Sequence, residues 1–415
     1  MKKSNAIRGT AIAAAVGLML TGCSGGSDDG PPELTISSWQ WSEPTRGAEL
    51  WSVYEGIDEA NDDFTLSKID LAYTQTLDTL STQLGAGTGP DIVYVTEPMF
   101  YPLAEAGLLE PLDSLIPADE LENLRDQNEW GNLDGSQYGY ISEMASFGLI
   151  YNQDLLDEAG VEVPTTFDEL TDAATAVSAN TDAFGFATRN QVDETDGWYL
   201  DFKNWVVGFG GELSENGELT LNSPEAVQAA EAYKEMWDAD VMPIGANVQE
   251  YRQMFIDGQL AMLLENNGNF SAALATNPEL NAGVAPTPFP SGEVDATTLF
   301  VAVNAASEHK EEAAEVIRSF LQPEAQDQWV SHLGGSIGPL DVGLPEDLLA
   351  ENPWMEPFQD AAATAHRMTI PDFETDTPQI QTILIEALSE VMLTDRDPQE
   401  AMDAVQEEAE QLVGD

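Results

Sequence analysis

Between residues 34 and 95, three short apolar runs alternate with two longer amphipathic ones, and this alternation restricts the fold more than any other feature. Residues 34–39 (Leu-Thr-Ile-Ser-Ser-Trp) read as a strand, and residues 44–60 as a helix with Leu50, Val53, Tyr54 and Ile57 on one face. Residues 66–73 read as a second strand and residues 76–84 as a second helix. Asp91-Ile92-Val93-Tyr94-Val95 makes a third strand, entered through Gly85-Ala86-Gly87-Thr88-Gly89-Pro90. Strand, helix, strand, helix, strand predicts an α/β fold, a parallel sheet with helices on both faces. Ligands of such sheets collect beyond the carboxyl ends of the strands, so the loops after Trp39, Tyr73 and Val95 point to a site. Further on, residues 148–151, 183–186, 260–264 and 299–303 read as strands. Residues 198–209, 224–237, 309–321 and 324–332 read as helices, with a hairpin at Asn216-Gly217. The last helix is read over 380–392, where Ile380, Ile383, Leu384, Ala387, Leu388, Val391 and Met392 form one apolar stripe.

The N-terminus has a different logic. Lys2, Lys3 and Arg8 precede an uncharged stretch over residues 11–20, the layout of a secretory signal. That stretch is about half of the ~20 residues a membrane-spanning helix needs. It ends in Leu20-Thr21-Gly22-Cys23, which resembles the lipobox of bacterial lipoproteins and holds the only cysteine of the chain. The resemblance implies removal of a signal peptide, residues 1–22, and lipid attachment at Cys23. Residues 24–32 contain only Gly, Ser, Asp and Pro and read as a flexible tether. The expectation is an exported chain, lipid-anchored to the cell membrane and facing outside the cytoplasm.

The chain carries 75 Asp and Glu against 14 Lys and Arg, a formal charge of −61. The acids are spread among periodic apolar residues, which describes a folded acidic surface rather than a disordered block. Nucleic acid and anionic membrane surfaces would repel such a chain, because binding phosphate needs clustered Lys and Arg. Self-repulsion at this density disfavours compaction unless salt screens it, so a halophilic surface is expected; attraction of cationic ligands competes with that explanation. His309, His332 and His366 show no metal-ligand spacing. There is no Gly-x-x-x-x-Gly-Lys loop, no Gly-x-Ser-x-Gly elbow and no Cys-x-x-Cys pair. No metal or cofactor is expected, and an enzyme is the lesser expectation.

Four segments carry a family resemblance. They are Gly87-Thr88-Gly89-Pro90-Asp91-Ile92-Val93 with residues 103–112, and Tyr138-Gly139-Tyr140 leading to Leu149-Ile150-Tyr151-Asn152 and residues 159–170. Residues 255–262 and the stretch from Asn304-Ala305 to Phe320-Leu321 complete the set. In this order they resemble the family 1 extracellular solute-binding proteins, the maltose-binding-like receptors of ABC importers. The resemblance implies a periplasmic-binding-protein-like fold, two α/β lobes joined by a multi-strand hinge with the ligand cleft between them. Residues 33–144 and 298–340 would form the first lobe, and residues 145–297 and 341–415 the second. It also implies a monomer that hands a small molecule to the membrane subunits of an ABC permease. The diagnostic segments themselves read as scaffold.

Candidate ligand residues are aromatic and polar side chains near strand ends. Trp39, Trp41 and Glu43 follow the first strand, where an indole can stack on a sugar face and a carboxylate can accept from hydroxyls; Trp39 alternatively caps the core. Glu97 follows the third strand, and the resemblance aligns Glu143 with a sugar-binding carboxylate. Trp198 and Trp205 lie two helical turns apart and suit a core face, from which Trp198 could still reach the cleft. The resemblance adds Asn267 and Phe270 after a strand, Ser336 beside Gly334-Gly335 and Arg367, for which a structural ion pair is the competing role. The function expected is capture of a mono- to oligosaccharide. The alternatives are a receptor for a cation such as a polyamine, and a secreted glycoside hydrolase using a pair such as Glu97 and Glu143.

Overall fold

The first apolar run becomes the strand Glu33–Ser38, whose Leu34 and Ile36 are fully buried because helices cover both faces of its sheet. The computed structural model describes residues 30–117, 121 and 123–414, so the signal sequence, Cys23 and most of the tether lie outside the described residues. Glu33–Ser38 pairs in parallel with Thr65–Asp70 on one side and Ile92–Thr96 on the other. The helices Gly47–Glu59 and Thr76–Gly85 connect them. Asp91 ties the sheet together at its entrance. Its carboxylate accepts from the Thr35 amide and hydroxyl, each at 2.9 Å, and from Ser307 Oγ at 2.7 Å. Gly89 before it has φ +107°, a conformation that favours glycine. The Gly-Pro-Asp segment is therefore scaffold, as its turn chemistry predicted.

Around this sheet the first lobe packs an aromatic core, in which Trp41 meets Trp51, Tyr54 and Tyr94 at 5.4–5.8 Å in edge-on contacts. A second core forms between the helices Phe167–Asn180, Thr195–Gly208, Pro224–Asp238 and Thr377–Thr394. A further helix, Pro398–Val413, joins it through Ala401, Met402, Val405 and Ala409. That helix was not anticipated, although Ala401, Met402, Val405 and Ala409 recur at helical spacing along one face.

Three segments cross between the lobes. Gly139–Asn152 is long enough to serve both, pairing antiparallel with Asp295–Val303 and, further along, with Leu260–Asn266. Asp295–Val303 returns the chain to the first lobe, where it pairs with Ile92–Thr96. The last crossing comes later than position 341. Leu344 and Met355 still pack into the first core, whereas Ile370 belongs to the second. Between them lie the helix Met355–Ala363 and the short strand His366–Arg367, which pairs in parallel with Asp295 and Ala296.

A surface with this charge should depend on salt. Its melting temperature is expected to rise steadily as KCl increases from about 0.1 M, where the Debye length is about 10 Å, to about 1 M, where it is about 3 Å. Chloride is the proper anion, because sulfate stabilises proteins by exclusion from their surface. A melting temperature indifferent to KCl over this range would remove repulsion from the account.

Candidate functional site

Glu143 sits where the crossing strand is irregular. Leu299 pairs with Glu143 and Phe300 with Ile141, so Ser142 is a bulge with no residue opposite. Side chains alternate along a regular strand, which would turn Ile141 and Glu143 the same way. The bulge resets the alternation: Ile141 and Met144 share one apolar cluster, and Glu143 faces the loop after Glu33–Ser38. There it accepts from Gln40 Nε2 at 2.6 Å, Arg46 Nη1 at 2.8 Å and Ser336 Oγ at 2.8 Å. Arg46 also donates through Nε to Glu43 at 2.5 Å. Burial works against the guanidinium charge, but Glu143 and Glu43 hold its pKa above the ordinary arginine value. Gly47 allows this turn, since a Cβ there would fall 2.5 Å from the Trp41 carbonyl oxygen.

Aromatic rings that are only partly buried accompany this polar knot. Trp39 meets Tyr73 edge-on at 5.1 Å, and Tyr73 is 53% exposed. Partial burial and Asp196 of the second lobe both raise the Tyr73 phenol pKa, so the lobes face each other here. On the far side, Asn267 begins the helix Asn267–Thr276 and donates to Gly334 O at 3.1 Å and Ser336 Oγ at 2.8 Å. Its Oδ1 is buried without a partner. Trp354, partly exposed, packs edge-on against Phe270 at 5.2 Å. It also lies 3.4 Å from where a Cβ on Gly335 would be, beside Asn267. The second lobe contributes Arg189, just beyond the strand Phe184–Ala187, held by Asp201 at 2.5 Å. Gly197 makes room for it, since a Cβ would approach Arg189 Nε to 2.4 Å.

The structure thus gathers Trp39, Glu43, Glu143, Asn267 and Ser336 of the expected residues around one knot. It places the others elsewhere. Trp41 is 4% exposed in the first core, its Nε1 donating to Ile36 O. Trp198 is buried in the second core with Trp205, as two-turn spacing on a core face requires. Phe270 is fully buried behind Trp354. Arg367 donates to Tyr101 Oη at 3.2 Å and pairs with Glu374 at 2.7 Å, the structural ion pair rather than a cleft contact. Glu97 is fully buried and accepts from Met368 N, Thr369 N and Thr369 Oγ1. Burial raises its pKa, and those donors oppose the rise. Enclosed in this way, it cannot pair with Glu143 across a glycosidic bond.

Arg46, Tyr73, Arg189 and Trp354 are the residues that sequence reasoning passed over. Tyr73 had a signal, as it closes the second strand-like run, and Trp354 follows Pro353 outside any long apolar stripe. Arg46 and Arg189 had none, because the partner that draws Arg46 to the site, Glu143, is 97 residues away and that of Arg189, Asp201, is on another element. Among the described residues, no group of three or more His, Cys, Asp or Glu is disposed to hold a metal ion. No described helix is long and apolar enough to cross a membrane.

Two α/β lobes joined by crossing strands, with aromatic and polar side chains between them, define the class of two-lobed periplasmic binding proteins. The chain belongs to the bacterial extracellular solute-binding protein family, whose pattern matches residues 57–327. It is 25% identical over 331 residues to a binding protein of Brucella abortus, covering 77% of this chain and 78% of that one. It is 23% identical over 444 residues to the sn-glycerol-3-phosphate-binding periplasmic protein of Escherichia coli K12, covering 97% of each. Its fold matches the cyclic alpha-maltosyl-1,6-maltose binding protein of Arthrobacter globiformis with a TM-score of 0.80. That match has 22% identity and covers 92% of this chain and 98% of the other.

Proposed function

We propose that this protein captures an uncharged mono- to oligosaccharide outside the cytoplasm and delivers it to an ABC permease, held at the membrane by a lipid on Cys23. The observation that carries the reading is the set of rings left open, the exposed Tyr73 and the partly buried Trp39 and Trp354, beside polar groups already fixed by one another. Rings of this kind cover the C–H faces of a sugar, and pre-positioned amide, carboxylate and guanidinium groups meet its hydroxyls at little ordering cost. Charge balance supports a neutral ligand over a phosphorylated one. Arg46 is matched by Glu43 and Glu143, and Arg189 by Asp201, so neither is left as a surplus cation for a phosphate. A cationic ligand is the second reading, supported by Asp196 beside the exposed Tyr73 ring.

Calorimetry in high-salt buffer tests this against a panel of neutral mono- to tetrasaccharides, sn-glycerol-3-phosphate and spermidine. A neutral sugar should bind stoichiometrically, without turnover, and the phosphate ester should not. Trp39→Ala and Arg46→Ala should each weaken that sugar by about ten- to a hundredfold, the 1–3 kcal/mol expected for a lost partner in a dry cleft. Binding of the phosphate ester or spermidine alone would overturn the sugar reading. Unchanged affinity in both variants would overturn the site.

A further inference from the structure

The last crossing strand is gripped from both lobes by ionisable groups that the ligand cleft does not use. From the first lobe, Glu97 takes the Met368 and Thr369 amides, and Tyr101 takes Arg367. From the second, Lys203 Nζ reaches Arg367 O at 2.9 Å and Asp295 Oδ1 at 2.6 Å, and Tyr199 donates to Met368 O at 3.1 Å. His366 lies at the centre of the second grip. Its Nδ1 meets Glu212 Oε1, its Nε2 meets Glu293 Oε2 at 3.2 Å, and its amide donates to Val294 O at 2.8 Å.

We propose that His366 is a proton-operated fastener of this hinge strand. With both ring nitrogens protonated it ties the strand to Glu212 and Glu293; on losing one proton it releases one carboxylate and loosens the hinge.

The geometry requires the proton for both contacts. Glu212 and Glu293 are acceptors when ionised, and a neutral imidazole has a single N–H to offer. The charges facing the ring point the same way. Glu212 and Glu293 supply two carboxylates, and Asp295, whose pKa burial pushes up to about 7, adds a third as pH rises; against them Lys203 is the one permanent cation. Glu97 and the Tyr199 phenol lie beyond, and Arg367 is turned to Glu374. One oxygen of Asp295 and one of Glu212 are buried without a hydrogen-bond partner, so the cluster has more acceptors than donors even with His366 charged. Burial disfavours the imidazolium, yet the bond and charge of Glu212 prevail and raise its pKa above the ordinary histidine value. A raised folded-state pKa places the contact in full strength below the ordinary imidazole range and removes it as pH rises through the higher folded value.

Hydrogen exchange of the ligand-free full chain, corrected for intrinsic rates and run in molar KCl to suppress general repulsion, reads this directly. Between about pH 6 and about pH 9, on either side of the imidazole range, protection of peptides covering 294–296 and 366–369 should fall. The fall expected for losing one charged hydrogen bond is about ten- to a hundredfold. Peptides of the second core around Trp205 should stay constant. His366→Gln should hold the weaker protection at every pH. Glu293→Gln, which alters a half-exposed partner and leaves the core intact, should shift the midpoint downward. Protection that does not change with pH in the wild type, a fall that persists in His366→Gln, or a midpoint unmoved in Glu293→Gln would each overturn the proposal. None of these readings depends on which solute the cleft takes.

Discussion

Lys203→Met is expected to lower the folding free energy by about 3–5 kcal/mol, the range for breaking a buried ion pair from one side. Lys203 and Asp295 are both fully buried, and Lys203 is also within 3.7 Å of Glu212. Removing the ammonium leaves the fully buried Asp295 carboxylate without its counter-ion, with the partly exposed Glu212 carboxylate adding like charge nearby. Asp295 shows the strain: burial pushes its pKa up to about 7 even though Lys203 opposes the rise. Without Lys203 the folded chain holds that proton more tightly than the unfolded chain. The loss should therefore be largest above neutral pH and shrink as pH falls through the folded value. Urea unfolding in molar KCl at an alkaline and an acidic pH measures both effects. Lys203→Met combined with Asp295→Leu should recover most of the loss, since an apolar pair of similar volume replaces the ion pair. A single-variant loss below about 1 kcal/mol would mean the pair does not stabilise the hinge in the way its burial implies.

Trp205→Ala is expected to be comparably damaging, at about 3–5 kcal/mol, through the cavity it leaves. The indole is fully buried and lies 4.6 Å from Tyr233, 5.4 Å from Phe289 and 5.7 Å from Phe167. Those rings come from separate segments, and a close-packed core collapses only partly around such a gap. Trp39→Ala is the useful contrast, because Trp39 is only partly buried, at the edge of the first core, and packs on the exposed Tyr73. It should change urea stability little while weakening ligand binding. If Trp205→Ala unfolds at the wild-type urea concentration, the second core is not organised around this residue.

Much of the scaffold was legible because local patterns carry it. The three strands before residue 97 needed only short apolar runs bounded by turns, and the helix over 377–394 needed one stripe. The two tryptophans at 198 and 205 fall on one buried face because a helix repeats every 3.6 residues. The site was legible only in part. Trp39 and Glu43 follow a strand end, which sequence can locate, but Trp41 is two residues from Trp39 and belongs to the core. The short 3-10 turn Gln40–Ser42 sends these neighbours in different directions, and nothing in Trp-Gln-Trp announces it.

By itself, then, the sequence determined the alternation of strands and helices, the apolar faces that become two cores, and an acidic surface whose stability should follow salt. Each depends on residues near one another in the chain or on composition alone. Tertiary structure decided which carboxylates face the cleft. Glu143 turns toward Arg46, 97 residues away, and Ser336, 193 residues away, because a bulge at Ser142 shifts the strand by one residue. Glu97, at an equally promising strand end, is instead closed over by residues 368–369 from the other end of the chain. A one-residue shift reverses which face a side chain occupies, and it is fixed by pairing with distant strands. That pairing is why the hinge and its partners could be read only from the folded chain.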